Sequence, residues 1–179
     1  MQSFIIEKSE EEFYTPHSGL VLVGLAINKY TSMATKLSRL EPNKKGISNA
    51  DVIRNYLGLM SLGKSDYEAI ADKKGDSLFQ SSLGIKSIPS PETLRQRLDN
   101  RAVAFEPIIS SCAIEFIKKS KATISPVKST GHVPLDIDVF PMDNSNTAKE
   151  GVSRTYHNYD GYTPIAAYLG MEGWCWALS

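Results

Sequence analysis

Asp136 and Asp138 are the side chains whose type and spacing point most directly to chemistry. Around them Val133, Leu135, Ile137 and Val139 alternate with Pro134, the two acids and Phe140. A period of two is a strand signal. Residues two apart in a strand leave the same face, so the carboxylates stand together while Leu135, Ile137 and Val139 go to the other side. Adjacent carboxylates repel each other and are costly to desolvate unless a cation neutralises them or water reaches the face. Magnesium and other hard divalent ions take oxygen ligands of this kind. The bland reading is an exposed strand whose wet face carries two acids.

Other constellations are less specific. Gly58 to Ser65, GLMSLGKS, matches the letters of a phosphate-binding loop. Such a loop must follow a strand and open a helix, so that backbone N–H groups converge on phosphate. The residues ahead of Gly58 instead have helical period, and Leu59, Met60 and Leu62 continue it. Gly63 therefore reads as a helix C-cap and Ser65 as the next N-cap, which makes a P-loop nucleotide-binding protein the weakest functional reading. Arg95, Gln96, Arg97 and Arg101 ride on a helix opened by Ser90 and Pro91. With a helix around Tyr67 and a turn-rich loop before them, they suggest a helix-turn-helix-like unit whose second helix meets DNA. The competing reading is a solvated basic face. Lys118, Lys119, Lys121 and Lys128 read either as a strip of phosphate contacts or as a soluble linker.

Lys149, Arg154 and His157 follow the acid pair in a polar loop and are placed to steer a phosphate backbone. Tyr156, Tyr159 and Tyr162 read as base-stacking rings or as packing over the sheet. His17, His132 and His157 lack zinc-site spacing. Cys112 and Cys175 are far apart, which fits a reducing compartment without a structural metal.

The elements that must position these groups change character along the chain. Residues 19–119 read as successive helices. One starts at Ser48, with Val52, Ile53, Tyr56, Leu57 and Met60 on a buried face. Ser65 and Glu68 form a capping-box pair for a short second helix. Gly75 to Gly84 reads as a polar stretch. Ser90 and Pro91 open a helix from Glu92 to Arg101, and another runs from about Glu106 to Lys119. Residues 122–131 read as a linker. Beyond them come a strand over 133–140, a polar loop from Asp143 to Tyr159, an Asp160-Gly161 turn, a strand from Tyr162 to Leu169, and a hairpin through Gly170–Gly173 into Trp174–Leu178. Pro164 lacks a ladder donor and belongs at an edge or bulge. The expected organisation is an N-terminal extension at 1–18, a helical region at 19–121, the linker, and a strand region at 132–179.

The composition, 41% hydrophobic and 22% charged, excludes a disordered, collagen-like or membrane-embedded chain. Twenty basic and twenty acidic side chains cancel, but unevenly. Residues 13–128 carry seventeen basic and ten acidic groups, and residues 129–179 carry two basic and six acidic. A basic middle and an acidic end hint at nucleic acid. The first residues lack the basic n-region of a signal peptide, and the apolar run Gly19–Ile27 is too short to cross a bilayer. A cytoplasmic protein with no membrane partner is expected.

The stretch from His132 to Trp174 resembles the start of the catalytic domain in a family of bacterial insertion-sequence transposases of the DDE type. Three places carry the likeness: the DID strand followed by a DNS loop, KEGVSRTY, and DGYTPIAAYLG. The helical region, including IPSPETLRQRLDN, is similar to the DNA-handling amino-terminal part of that family. The resemblance implies an α+β chain whose helical domain precedes the first three antiparallel strands of an RNase H-like domain. It makes Asp138 the first choice for the leading catalytic and metal-binding acid and Asp136 the second. Relatives often carry a hydroxyl residue two places after that acid, whereas this chain has Phe140, so both assignments stay open. In the family mechanism three carboxylates hold two magnesium or manganese ions, which activate water or a 3′-hydroxyl for in-line attack on a phosphodiester. The remaining acids are expected beyond Ser179. The chain then reads as part of a transposase that dimerises on transposon-end DNA at the nucleoid when intact, and as inactive alone. A non-catalytic DNA-binding or regulatory fragment is the alternative.

Overall fold

The computed structural model describes residues 17–40 and 46–178, with Glu10 and Thr15, and gives 176–178 by their backbone alone. Most of the expected extension at 1–18 lies outside the described residues. The architecture is α+β, helices followed by small antiparallel sheets, and the chain divides into two units, Met1–Ser120 and Lys121–Ser179.

In the first unit α1 (Leu20–Tyr30) and α2 (Met33–Ser38) precede α3 (Asn49–Ser61). The Ser48 hydroxyl caps α3 by accepting from Asp51 N–H at 3.0 Å. The helix ends at the expected glycine: Gly63 takes φ +70°, its N–H donates to Met60 O, and Lys64 N–H donates to Leu59 O. This paired 5→2 and 6→1 arrangement is a Schellman cap. The backbone donors of Gly63 and Lys64 thus serve the helix end, which removes the phosphate-loop reading of Gly58–Ser65.

Three expectations need correction. The Ser65–Glu68 capping box does not form; Asp66 accepts from Ala69 N–H at 2.8 Å and the segment is a 3-10 helix, Glu68–Lys73. The stretch Gly75–Gly84 contains a helix, α4 (Ser77–Leu83), capped by Asp76 and closed by Gly84 at φ +62°. Its Phe79 and Leu83, one turn apart, are fully buried. Finally, Glu92–Arg101 and Glu106–Lys119 are one helix, α5 (Pro91–Ser120), with Pro107 inside it. A proline there removes the bond to the carbonyl of Val103. Val103 is 91% exposed and Pro107 is exposed too, so that carbonyl lies on the wet side, where water serves it.

Helix α3 lies between two cores. Val52 and Leu59 join Leu20, Ile70, Phe79, Leu83, Ile85 and Leu94 in one; Ile53 joins Met33, Leu37, Phe105 and Cys112 in the other. Each large side chain so buried contributes roughly 1.5–3 kcal/mol relative to exposure.

Glu115 of α5 ties α2 down. Its carboxylate accepts from Ser32 N–H at 2.7 Å and from Ser32 Oγ at 2.8 Å, and it pairs with Lys36 and, at 3.2 Å, Lys119. The Lys36 contact, then those from Ser32, pull its pKa from 4.5 to about 2. A folded-state value below the unfolded one gives stability that is present above about pH 4.5 and lost as pH falls towards 2. Glu115→Gln is expected to cost about 1–2 kcal/mol near neutrality and to flatten the acid limb. Urea unfolding at about pH 7 and about pH 3 reads both effects; equal losses at the two pH values would contradict the account.

In the second unit β1 (Leu135–Val139), β5 (Ile165–Leu169) and β6 (Trp174–Leu178) form an antiparallel sheet of order β1-β5-β6. A second sheet of β2 (Met142–Asp143), β3 (Ser153–Arg154) and β4 (Asp160–Tyr162) has the order β2-β4-β3, and its β3 lies inside the expected polar loop 143–159. The expected strand Tyr162–Leu169 is broken between the two sheets at Thr163-Pro164. Pro164 stands ahead of β5 and contributes its carbonyl to Phe140 N–H at 3.1 Å. Asp160-Gly161 is not a turn but strand β4, paired on both sides. Glycine is required there because a Cβ would overlap Met142 O and lie 3.0 Å from its carbonyl carbon. Gly170–Gly173 does close the hairpin, with Gly173 N–H donating to Gly170 O at 3.1 Å.

The expected linker 122–131 belongs to this unit. Glu172 accepts from Ser125 N–H at 2.9 Å and from its hydroxyl, Met171 N–H donates to Ser125 O at 3.1 Å, and Trp174 Nε1 donates to Thr123 O at 2.8 Å. Those hydrogen bonds hold it along the hairpin turn.

Candidate functional site

Strand β1 carries the acid pair as its period predicts. Asp136 lies opposite Tyr168 and Asp138 opposite Ala166. Both acids are exposed, and Asp138 Oδ1 accepts from Val139 N–H at 2.9 Å. The opposite face of the strand is also open, with Leu135, Ile137 and Val139 38–62% exposed. The acid face is thus accessible to a cation and its water, and its oxygen donors suit a hard divalent ion. The donor count does not suffice: among the described residues no group of three or more His, Cys, Asp or Glu is arranged to hold a metal. Asp143, five residues on, is held locally. Ser145 donates to it through its hydroxyl at 2.7 Å and its N–H at 2.9 Å, which keeps that carboxyl below its ordinary range.

The four residues singled out on α5 separate into two pairs. Arg95 is half exposed, with Glu92 at 2.8 Å and Asp99 at 3.6 Å, and Gln96 also donates to Glu92. Such exposed ion pairs hold a side chain only weakly. Arg97 turns inward, donating to Asn49 Oδ1 at 2.6 Å and Ile47 O at 3.2 Å, and Arg101 donates to Leu40 O at 3.1 Å. The helix therefore presents Arg95 and Gln96 to solvent and uses Arg97 and Arg101 as ties. The helix before it is α4, and the intervening residues 84–90 exceed the three- to four-residue turn of a helix-turn-helix.

Lys149 is exposed in the loop between β2 and β3. Arg154 lies on β3, 3.4 Å from Asp160 in an exposed pair. Beyond it the turn 155–159 brings three rings together: Tyr156 tilted at 36° against His157, 4.3 Å between centroids, and His157 stacked on Tyr159 at 5.9 Å and 7°. Tyr162 is used differently, its hydroxyl donating to Glu150 O. The spacing of these aromatics named the candidates, but only the turn reveals which rings meet.

Compared with protein-family models, curated proteins and solved structures, the chain gives no match. Among the described residues no helix is long and apolar enough to cross a membrane.

Proposed function

We propose that this chain is the DNA-handling and first-carboxylate portion of a DDE-type transposase, with β1, β5 and β6 as the opening strands of an RNase H-like fold. The observation that carries the reading is the acid pair itself: Asp136 and Asp138, exposed, two apart on the first strand of an antiparallel sheet of order β1-β5-β6. Magnesium or manganese, when bound in such a site, supplies the positive charge that activates the attacking hydroxyl and steadies the leaving oxygen. Asp138 or Asp136 contributes one carboxylate to holding it. Among the described residues no group supplies the two further acids that the chemistry needs, and the partners in this reading are transposon-end DNA and a second copy of the protein. Alone, the chain neither nicks nor joins DNA. DNA binding without chemistry is the second reading, favoured by the solvent-facing Arg95 and Gln96 on α5.

Paramagnetic Mn²⁺ tests the metal assignment on the chain by itself. Amide resonances of residues 136–139 are expected to broaden at roughly millimolar Mn²⁺, the regime of an incomplete oxygen site. Asp138→Asn and Asp136→Asn, compared, identify the stronger ligand. Strand β1 resonances that stay sharp while Mn²⁺ broadens other acids would remove the metal reading. A gel shift on duplex DNA tests the second reading: binding falls with salt and is weakened by Arg95→Glu. Binding no stronger than that of a charge-matched control protein would overturn it.

A further inference from the structure

We infer that the turn 155–159 is a stacking platform for an unpaired nucleobase, formed by the rings of Tyr156, His157 and Tyr159. Tyr156 is 65% exposed and His157 is exposed, while Tyr159 is half-buried, so the outer ring of the row is open to a flat ligand. The row is held in shape before any ligand arrives. Thr155 donates to Tyr159 O through its N–H at 2.8 Å and its hydroxyl at 2.9 Å, and Asn158 N–H donates to Thr155 O at 3.0 Å. Asn158 takes the left-handed conformation, φ +63°, that the tight turn requires and that Asn tolerates. Pairing of β3 with β4 closes the base of the turn.

The platform also has a defined neighbour. The Tyr156 hydroxyl reaches Val139 O at 3.5 Å and the Tyr159 hydroxyl donates to Pro141 O at 3.1 Å. Those carbonyls are one and three residues after Asp138, so the rings flank the end of β1 that carries this acid. A phosphodiester held at Asp138 would bring the base of the same or the next nucleotide over the rings. Stacking on aromatic faces accepts any base and needs it unpaired, because a base within a duplex is already stacked on both sides. The choice of a nucleobase among flat ligands rests on the proposal that Asp138 serves DNA chemistry.

Fluorescence anisotropy with a labelled single strand of about ten nucleotides tests the platform on the 179-residue chain. Tyr156→Ala and Tyr156→Leu are expected to weaken binding roughly five- to a hundredfold, whereas Tyr156→Phe, which keeps the ring, binds as the parent does. Annealing the strand to its complement is expected to abolish the sensitivity to residue 156. The inference is overturned if Tyr156→Ala binds the single strand unchanged, if the duplex loses affinity equally, or if a short oligosaccharide shows the Tyr156 dependence and the oligonucleotide does not. The Mn²⁺ titration separates the two proposals. Broadening at β1 with no Tyr156 effect leaves the transposase reading and removes the platform; a Tyr156 effect with β1 unaffected by Mn²⁺ does the reverse.

Discussion

Gly24→Ala is expected to destabilise the helical unit by about 3 kcal/mol, the upper part of the range for overpacking. Gly24 lies in the middle of α1 and is buried. A Cβ there would overlap Ser82 O, lie 2.9 Å from the Ser82 carbonyl carbon and 3.2 Å from Leu83 Cα. All three are backbone atoms at the end of α4, so no side chain can swing away. The two helices would have to separate, lifting Leu20, Phe79 and Leu83 from the core they share. Gly19→Ala is the control, because a Cβ at Gly19 meets nothing within 4 Å; its effect should stay within about 0.5 kcal/mol. Urea denaturation of the three proteins decides the matter. A Gly24→Ala midpoint equal to that of the parent would mean that α1 and α4 do not touch through their backbones.

Arg54→Met should cost a similar amount, about 3 kcal/mol, for an electrostatic reason. Arg54 is 7% exposed on α3. Its Nη1 donates to Leu83 O at 2.7 Å and its Nη2 to Asn28 Oδ1, joining α3 to the end of α4 and to α1. Burial lowers its pKa and the nearby Asp51 carboxylate raises it, the burial being the larger influence. Asp51 is itself buried and accepts from Lys86 N–H at 3.3 Å. Removing the guanidinium leaves the Leu83 carbonyl and the half-buried Asn28 amide oxygen without this donor, and leaves the buried Asp51 carboxylate without its nearby positive charge. Arg54→Lys should recover only part of the loss, since an ammonium cannot reproduce the planar fork. A double-mutant cycle with Asp51→Asn tests the coupling: Arg54→Met is expected to cost less once the Asp51 carboxylate has been neutralised in this way. Strict additivity would show that Asp51 and Arg54 do not support each other.

Several elements were readable because their signals are local. The Ser48 cap, the Ser90-Pro91 start, the Gly63 stop and the Gly170–Gly173 hairpin each depend on hydrogen bonds spanning a few residues. The period-two strand with its paired acids belongs to the same class, since a strand's alternation follows from backbone geometry. Helix α4 was hidden because Ser77, Gln80, Ser81 and Ser82 make its composition polar. Only Phe79 and Leu83 mark its inner face, and their burial is a tertiary event. Gly161 misled in the same way. Beside Asp160 it imitates a turn, while its role is to let two strands approach at Met142.

The site follows this division. The sequence alone determined that two carboxylates share one face of a strand, that a basic helix begins at Ser90, and that aromatic residues cluster after the acids, because each depends on residue type and spacing along a few residues of backbone. Tertiary structure alone decided which of these groups are available to a partner. Arg97 and Arg101 are engaged by Asn49 and Leu40, 48 and 61 residues away, while Arg95 and Gln96 remain at the surface. The tyrosine hydroxyls of the turn reach carbonyls 17 and 18 residues earlier, just beyond Asp138. A side chain's partner at such separations is set by how the elements pack, and hydrophobic burial, which drives that packing, is proportional to area and carries no information about which polar group ends up beside which.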